Sequence, residues 1–313
     1  MNDQNKFGLV VMAYGTPQSP ADIEPYYTHI RRGRPPTPEL LADLISRYQA
    51  IGGISPLASL TESQRSALET ALNERMPNKW IVVLGQKHAF PFIEDALVEL
   101  STTGVTDAVG LVLAPHFSGF SIGEYQRRAT EAGEERNITM HAINTWHLES
   151  AYLDFLTNAV RDALSELPER TTVLFTAHSL PERVLENDPY PDQLAASAAV
   201  VAERLGLPSW ALAWQSAGRT PEPWRGPDVL DELRRIATEG SADGVLVCAQ
   251  GFTADHLEVL YDLDIEAAAV ATELGLAFGR TRSLNANQSV MNALADQVIA
   301  ALPTTSIPMR KQQ

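Results

Sequence analysis

Eight short runs of nearly uninterrupted apolar, largely β-branched residues recur along the chain, at 7–13, 80–84, 108–114, 140–144, 172–177, 210–214, 244–249 and 276–279. A strand covered on both faces reads as such a run, whereas a half-exposed strand alternates apolar with polar residues. Between the runs lie stretches with helical apolar spacing, at 61–75, 92–101, 123–132, 150–164, 193–205, 228–237 and 288–302. Parallel neighbours need a crossover of a dozen or more residues, usually a helix, so this alternation predicts an α/β fold with parallel sheets. The runs divide four and four, the second set opening near Thr172. The expectation is two similar Rossmann-like, doubly wound domains at 1–148 and 149–313, with a cleft between them and the C-terminal helix packing back on the first domain. A length of 313 residues agrees with that division at roughly 150 residues per domain. Eight β/α units also fit a TIM barrel. At least two helical stretches between the first and second runs count against that eightfold regularity.

The balance of 24 lysines and arginines against 39 carboxylates leaves a net charge of -15. Such a surface repels phosphate backbones and anionic membranes, so nucleic-acid binding is not expected. An anionic small molecule binds such a chain only where basic residues are concentrated. The single cysteine, Cys248, supplies neither a disulfide nor a cysteine-ligated cluster. The apolar run near the N-terminus ends at Tyr14 without a cleavage pattern, and no apolar run approaches the ~18–20 residues of a membrane span. A soluble cytoplasmic protein is expected.

Ligands of open α/β sheets bind beyond the carboxyl ends of the strands. The segments that follow the runs are Tyr14-Gly15-Thr16-Pro17, Gln86-Lys87-His88, Pro115-His116-Phe117-Ser118, His178-Ser179-Leu180-Pro181, Gln215-Ser216 and Gln250-Gly251-Phe252. They gather aromatic rings, imidazoles and amides at one rim, where a pocket lined by both domains is expected. After the seventh run, residues 255–266 carry five carboxylates and no lysine or arginine. In an α-helix, Glu258, Asp262 and Glu266 fall at i, i+4 and i+8, and like charges at that spacing repel. The column is then either a solvated face or a path for cations. His178 is either a structural strand-end residue or, with the carboxylates, a ligand for a borderline divalent metal such as ferrous iron. Arg31, Arg32 and Arg34 form a basic run suited to carboxylates or phosphates, or else a basic surface loop. No nucleotide-binding glycine fingerprint is present. Gly119-Phe120-Ser121-Ile122-Gly123 fits G-x-S-x-G, but 115–118 intervenes between strand and motif, so Ser121 reads more simply as part of a Gly/Ser loop.

Several of these stretches together resemble the ferrochelatases, which insert ferrous iron into a porphyrin late in haem synthesis. The matching residues are Val11-Met12-Ala13-Tyr14-Gly15-Thr16-Pro17, Tyr26-Tyr27-Thr28-His29-Ile30-Arg31-Arg32-Gly33, and Arg47-Tyr48 continuing to Gly52-Gly53-Ile54-Ser55-Pro56-Leu57. Further on come Ala177-His178-Ser179-Leu180-Pro181, Trp214-Gln215-Ser216, Pro223-Trp224-Arg225-Gly226-Pro227, and Gly251-Phe252 leading into Asp255-His256-Leu257-Glu258. They occur in the family's order over nearly the whole chain. The resemblance implies a monomer with a porphyrin cleft between its domains. His178 and Glu258 correspond to the family's metal-site and catalytic pair, with Asp262 and Glu266 continuing a cation path. Tyr14 corresponds to an axial ligand of the product iron on the other face of the macrocycle. Arg31, Arg47, Tyr48, Ser55 and Tyr125 correspond, with Tyr14, to substrate-binding residues, while Lys87 and His88 match a family stretch without an assigned role.

The single cysteine excludes the [2Fe–2S] cluster that many members carry, and the polar tail at 307–313 carries no anchoring extension. No organic cofactor is expected, Fe2+ being substrate. The resemblance is nearest the soluble bacterial members acting on coproporphyrin III to form Fe-coproporphyrin, for which a downstream haem-synthesis enzyme is a possible partner. The alternatives are a protoporphyrin IX ferrochelatase, a chelatase inserting another divalent metal into a different tetrapyrrole, a non-catalytic haem or metal carrier, and, most distantly, a hydrolase using Ser121.

Overall fold

The computed structural model describes residues 6–303; the first five residues and the polar tail at 307–313 lie outside them. Eight strands form: β1 (Phe7–Ala13), β2 (Trp80–Gln86), β3 (Asp107–Val112), β4 (Thr139–Ile143), β5 (Thr171–His178), β6 (Trp210–Gln215), β7 (Gly244–Cys248) and β8 (Ala277–Arg280). They build two separate four-stranded sheets, ordered β2-β1-β3-β4 and β6-β5-β7-β8, in which every pair is parallel. Two open sheets exclude the barrel, in which a single sheet closes on itself.

Burial of the central strands β1, β5 and β7 explains their apolar runs. Every residue of β1 is buried, and successive side chains point to opposite faces. Leu9 and Val11 join one core cluster, while Val10 and Met12 join another with the helices Ile93–Ser101 and Ile122–Glu134. In the second sheet Val173, Phe175, Leu246 and Cys248 alternate in the same way with Leu174, Val245 and Val247. Leu9, Val11, Val173 and Phe175 belong to the same cluster, completed by residues of the helices Leu57–Arg75, Ser150–Leu164 and Gln288–Ala300. The two sheets thus share one core, and shortening a fully buried leucine there to alanine costs about 2–5 kcal/mol.

Three helices, Ile23–Ile30, Pro38–Ala50 and Leu57–Arg75, lie between β1 and β2. Thr37 caps the second, accepting from the Leu40 amide at 3.4 Å, with Pro38 at its first position. This excursion reaches the second sheet's loops. Gln64 donates to the Thr253 and Asn285 carbonyls at 3.2 and 3.1 Å, and Arg219 pairs with Asp43 at 2.7 Å. The helix Gln288–Ala300 packs back on Leu57–Arg75, where Arg75 donates to Asp296 and to the Asn292 carbonyl, the latter at 3.0 Å.

The acidic segment departs from the expected regular helix. A single turn, Leu257–Leu260, runs into a π-helical turn, Asp262–Ala267, and then into Ala268–Glu273. The Glu266 amide reaches back five residues to the Tyr261 carbonyl at 2.9 Å. The wider turn changes the register of residues four apart, yet Glu258 and Glu266 both lie close enough to raise the Asp262 carboxyl. Within the turn, Asp262 is held by Ser216 and Arg47 and Asp264 by Arg280, and Leu263 is buried.

Candidate active site

In both sheets the order reverses beside the first strand, and crevices open at such switch points beyond the carboxyl ends. Tyr14 follows β1, His178 ends β5, and the acidic segment follows β7. Gly251 lets the chain after β7 pass against Ala177, since a Cβ at Gly251 would collide with the Ala177 Cβ. The Gly251 amide bonds the Thr176 carbonyl at 3.0 Å there.

His178 Nδ1 makes a short hydrogen bond to the Ser179 carbonyl, which can only accept, so Nδ1 carries the hydrogen. Nε2 then faces Glu258 Oε1 at 3.6 Å. His256 repeats the arrangement, its Nδ1 donating to the Ala254 carbonyl at 3.0 Å and its Nε2 lying 3.7 Å from Glu258 Oε2. A neutral imidazole nitrogen and a carboxylate oxygen oppose lone pair to lone pair unless a proton or cation lies between them. The pair is therefore built to hold one or the other. Burial pushes the Glu258 carboxyl up, but His178, then His256 and Ser216, outweigh it and hold the group below its ordinary range.

Gln215 fixes the spacing of this pair. It accepts from Thr176 Oγ1 at 2.8 Å and donates to the Glu258 carbonyl at 3.1 Å, tying the acidic segment to the strand that carries His178. Ser216, left-handed at φ 60°, donates to Asp262 Oδ2 at 2.6 Å. Asp262 is 8% exposed. Burial, followed by the charge of Glu258, pushes its carboxyl to about 7 against the pull of Ser216 and Arg47, with Glu266 adding to the rise.

Tyr14 faces this cluster. Its ring is 43% open, yet the cleft desolvates the phenol and raises it, with the charges of Glu258 and Glu124 adding to the effect. Glu258 is thus near enough to act on a residue of the opposite sheet. Gly15, at φ 91°, turns the chain there, and a Cβ would come within 2.8 Å of the Ala89 Cβ. The Tyr14 ring lies 4.6 Å from that of His88, whose Nδ1 is 3.0 Å from His29 Nδ1. Burial, then Lys87 and His29, press His88 down to about 3, so it is neutral across the physiological range.

The remaining expected residues divide. Tyr48 is buried, its hydroxyl 3.5 Å from Thr16 Oγ1, and burial carries its phenol to about 12. Ser55 is buried and accepts from the Leu57 amide at 3.2 Å. Tyr125 is buried beneath the Lys87 ammonium, itself paired to Glu124 at 2.6 Å. Arg47 is not a free cation: Asp43 lies at 3.2 Å, Asp262 at 3.5 Å, and the Tyr261 ring 4.7 Å beneath its guanidinium. Arg31 lies over Tyr27 and donates to the Arg34 carbonyl at 3.2 Å. Among the described residues, Arg31, Arg32 and Arg34 have no carboxylate within 4.0 Å, whereas most arginines here are ion-paired. Among the described residues no histidine hydrogen-bonds Ser121, and His116 is bonded to Ser197 at 2.9 Å, so the hydrolase alternative lacks a base.

Four contributors carried no role assigned from sequence. His256 had a local signal, two residues before Glu258. Gln215 and Ser216 stood in a quoted motif, but their targets lie some 40 residues away, at Glu258 and Asp262. Arg280 ends β8, and its partners Asp264 and Asp255 lie 16 and 25 positions earlier.

Two parallel sheets of matching order, with an imidazole–carboxylate pair facing a tyrosine across their shared rim, define a chelatase-type α/β protein. The ferrochelatase family model matches residues 6–302, and the chain belongs to that family. It is 46% identical over 303 residues, covering 95% of this chain and 97% of the relative, to a protein named coproporphyrin III ferrochelatase from Bacillus mycoides (strain KBAB4). A protein of the same name from Bacillus subtilis (strain 168) is 45% identical over 306 residues, covering 96% and 99%. Among solved structures, SirB from Bacillus subtilis with Fe3+ shares the fold at a TM-score of 0.60 and 11% identity, over 95% of each chain. Among the described residues, no helix is long and apolar enough to cross a membrane, and no three His, Cys, Asp or Glu side chains assemble to hold a metal.

Proposed function

We propose that this chain inserts ferrous iron into coproporphyrin III, releasing two protons and forming Fe-coproporphyrin. The observation that carries the reading is the His178–Glu258 pair opposed to Tyr14 across the cleft, with Nε2 and Oε1 3.6 Å apart. The names of the relatives support the substrate.

Metallation needs two pyrrole protons removed and the ring's nitrogen lone pairs turned toward the incoming ion. Binding energy that puckers the macrocycle exposes those lone pairs. The Glu258 carboxylate beside His178 stabilises the imidazolium formed when Nε2 takes a pyrrole proton. The same two groups also suit Fe2+ in transit, nitrogen and carboxylate oxygen being adequate donors for a borderline ion. Asp262 and Glu266 extend the approach route. Tyr14, on the other face of the ring, serves as axial ligand to the product iron, whose positive charge opposes the effects that raise the phenol. Arg31, beside unpaired Arg32 and Arg34, takes propionates with Tyr48, Ser55 and Tyr125. Arg47 contributes as a wall held by Asp43 and Asp262, and reaches a propionate only by leaving them. A substrate with four propionates gains more from this basic edge than one with two.

On this reading the chain divides at 148/149, with the last helix returning to the first unit. It acts as a cytoplasmic monomer without a resident organic cofactor or iron–sulfur cluster, and it passes its product to a downstream haem-synthesis enzyme. The test is anaerobic incubation with Fe2+ and coproporphyrin III, followed by loss of porphyrin fluorescence, with protoporphyrin IX and His178→Ala in parallel. Multiple turnovers that favour coproporphyrin III and need His178 are expected. Preference for protoporphyrin IX overturns the substrate, full activity of His178→Ala overturns the site, and tight binding without metallation points to a carrier.

A further inference from the structure

Residues 255–266 carry five carboxylates and no internal cation, so something outside the segment must determine which of them face the cleft. The neutralising groups come from two sides. Arg47 reaches Asp262 from the first unit. From the other side, Arg280 at the end of β8 grips Asp264 with both arms of its guanidinium, Nε to Oδ1 at 2.7 Å and Nη2 to Oδ2 at 2.9 Å. Its Nη1 reaches Asp255 Oδ1 at 3.2 Å and the Thr281 carbonyl at 3.0 Å. Asp255 is held further by Ser283 Oγ at 2.7 Å and Asn285 Nδ2 at 3.2 Å. One arginine, its side chain only 15% exposed, therefore ties down a carboxylate on each flank of the Glu258–Asp262 stretch.

The consequence is geometric. A π-helical turn is rare and needs tertiary support. Were Asp264 not held toward β8, the segment would lose a partner that favours the wide turn over a regular α-turn. Relaxation to an α-turn would rotate Asp262 relative to Ser216 and shift Glu258 against His178. A bidentate guanidinium–carboxylate pair fixes orientation as well as distance, which an ammonium does not.

We propose that Arg280 is a positioning residue for iron delivery: by clamping Asp255 and Asp264, it sets the π-helical turn so that Glu258 and Asp262, with Glu266 beyond them, present themselves to the incoming cation. Arg280 touches neither porphyrin nor iron in this account. The inference rests on the reading of Glu258 and Asp262 as the iron route.

The experiment compares wild type, Arg280→Gln, Arg280→Lys and Asp264→Asn in anaerobic iron insertion, with the KM for Fe2+ and the KM for coproporphyrin III measured separately. Calorimetric binding of Zn2+ to the porphyrin-free protein supplies a second readout. Arg280→Gln and Asp264→Asn are expected to raise the KM for Fe2+ and weaken Zn2+ binding about tenfold, with the KM for coproporphyrin III within twofold of wild type. Arg280→Lys is expected to recover only part of the loss, since one ammonium cannot hold both flanks. Asp264→Asn keeps the Asp255 contact and serves if Arg280→Gln does not fold. An unchanged KM for Fe2+ in folded variants, with only kcat or the active fraction lowered, overturns the inference. So does full recovery by Arg280→Lys. Inactivity of wild type, or full activity of Glu258→Gln, overturns instead the reading on which it rests.

Discussion

Asp262→Asn probes the electrostatic strain of the cleft. Asp262 is 8% exposed, and burial next to Glu258 lifts its carboxyl from 3.8 to about 7. The folded protein therefore holds this proton more tightly than the unfolded chain does. Between pH ~4 and ~7 the native state binds more protons at this site, so stability falls as pH rises through that window. At 1.36 kcal/mol for each pH unit, the interval amounts to ~4 kcal/mol, lost in full only above pH 7. Asparagine matches the shape, can still accept from Ser216, and cannot ionise.

The stability difference between Asp262→Asn and wild type should therefore shift by ~4 kcal/mol in the variant's favour between pH 4 and pH 8. Urea denaturation at the two pH values measures it, and titrating groups that do not interact with Asp262 cancel in the comparison. The variant should also insert iron poorly, with a raised KM for Fe2+, because a carboxylate of the route is gone. A difference that does not change with pH, or a variant that loses ground at pH 8, would refute the reasoning. Either result would mean that the pairing of Asp262 with Arg47 and Ser216 outweighs its burial and the repulsion of Glu258.

Arg31→Ala should weaken coproporphyrin III binding roughly tenfold or more, most at low salt, while leaving kcat nearly intact, because the residue contributes a charge-assisted contact rather than chemistry. Fluorescence titration at two ionic strengths checks this, and an unchanged Kd would put the propionates elsewhere. Gly251→Ala forces a Cβ into Ala177, the residue before His178, and should cost about 1–3 kcal/mol together with a loss of turnover. Thermal unfolding and kcat measured side by side test it; an undisturbed enzyme would mean that the strand end yields without moving His178.

The eight strands were legible because each apolar run and its strand coincide to within two residues at either end, most plainly in β1, β5 and β7, where burial on both faces demands apolar side chains. His178, Glu258 and Tyr14 were legible because strand ends at a switch point are where open α/β sheets place ligands. The π-helical turn was not. The groups that hold its carboxylates, Ser216, Arg47 and Arg280, lie at 46, 215 and 16 positions from them, and local spacing carries none of that information. Arg47 shows the same limit, since sequence marks a cation in a basic neighbourhood but not the two aspartates that already occupy it. The domain division is blurred for a related reason: the core cluster containing Leu9 and Phe175 belongs to both sheets.

The distribution of charge explains how an acidic chain can hold an anionic macrocycle. The first unit supplies Arg31, Arg32 and Arg34 without carboxylates within 4.0 Å, whereas the second supplies Glu258, Asp262 and Glu266 after β7. On the proposed reading, a porphyrin between them would meet cations at its propionate edge and carboxylates toward its centre, the polarity needed to hold the ring by its rim while a divalent ion arrives along its normal. Had the two sets been intermixed, they would have neutralised one another, as Arg47 and Asp262 do at 3.5 Å, and neither the ring nor the ion would find an unpaired partner. That pair sits where the two sets meet. Breaking it, when a propionate approaches Arg47, would leave the Asp262 carboxyl more strongly raised, so binding of the ring and the protonation of Asp262 are linked, with proton uptake on ring binding as the measurable sign.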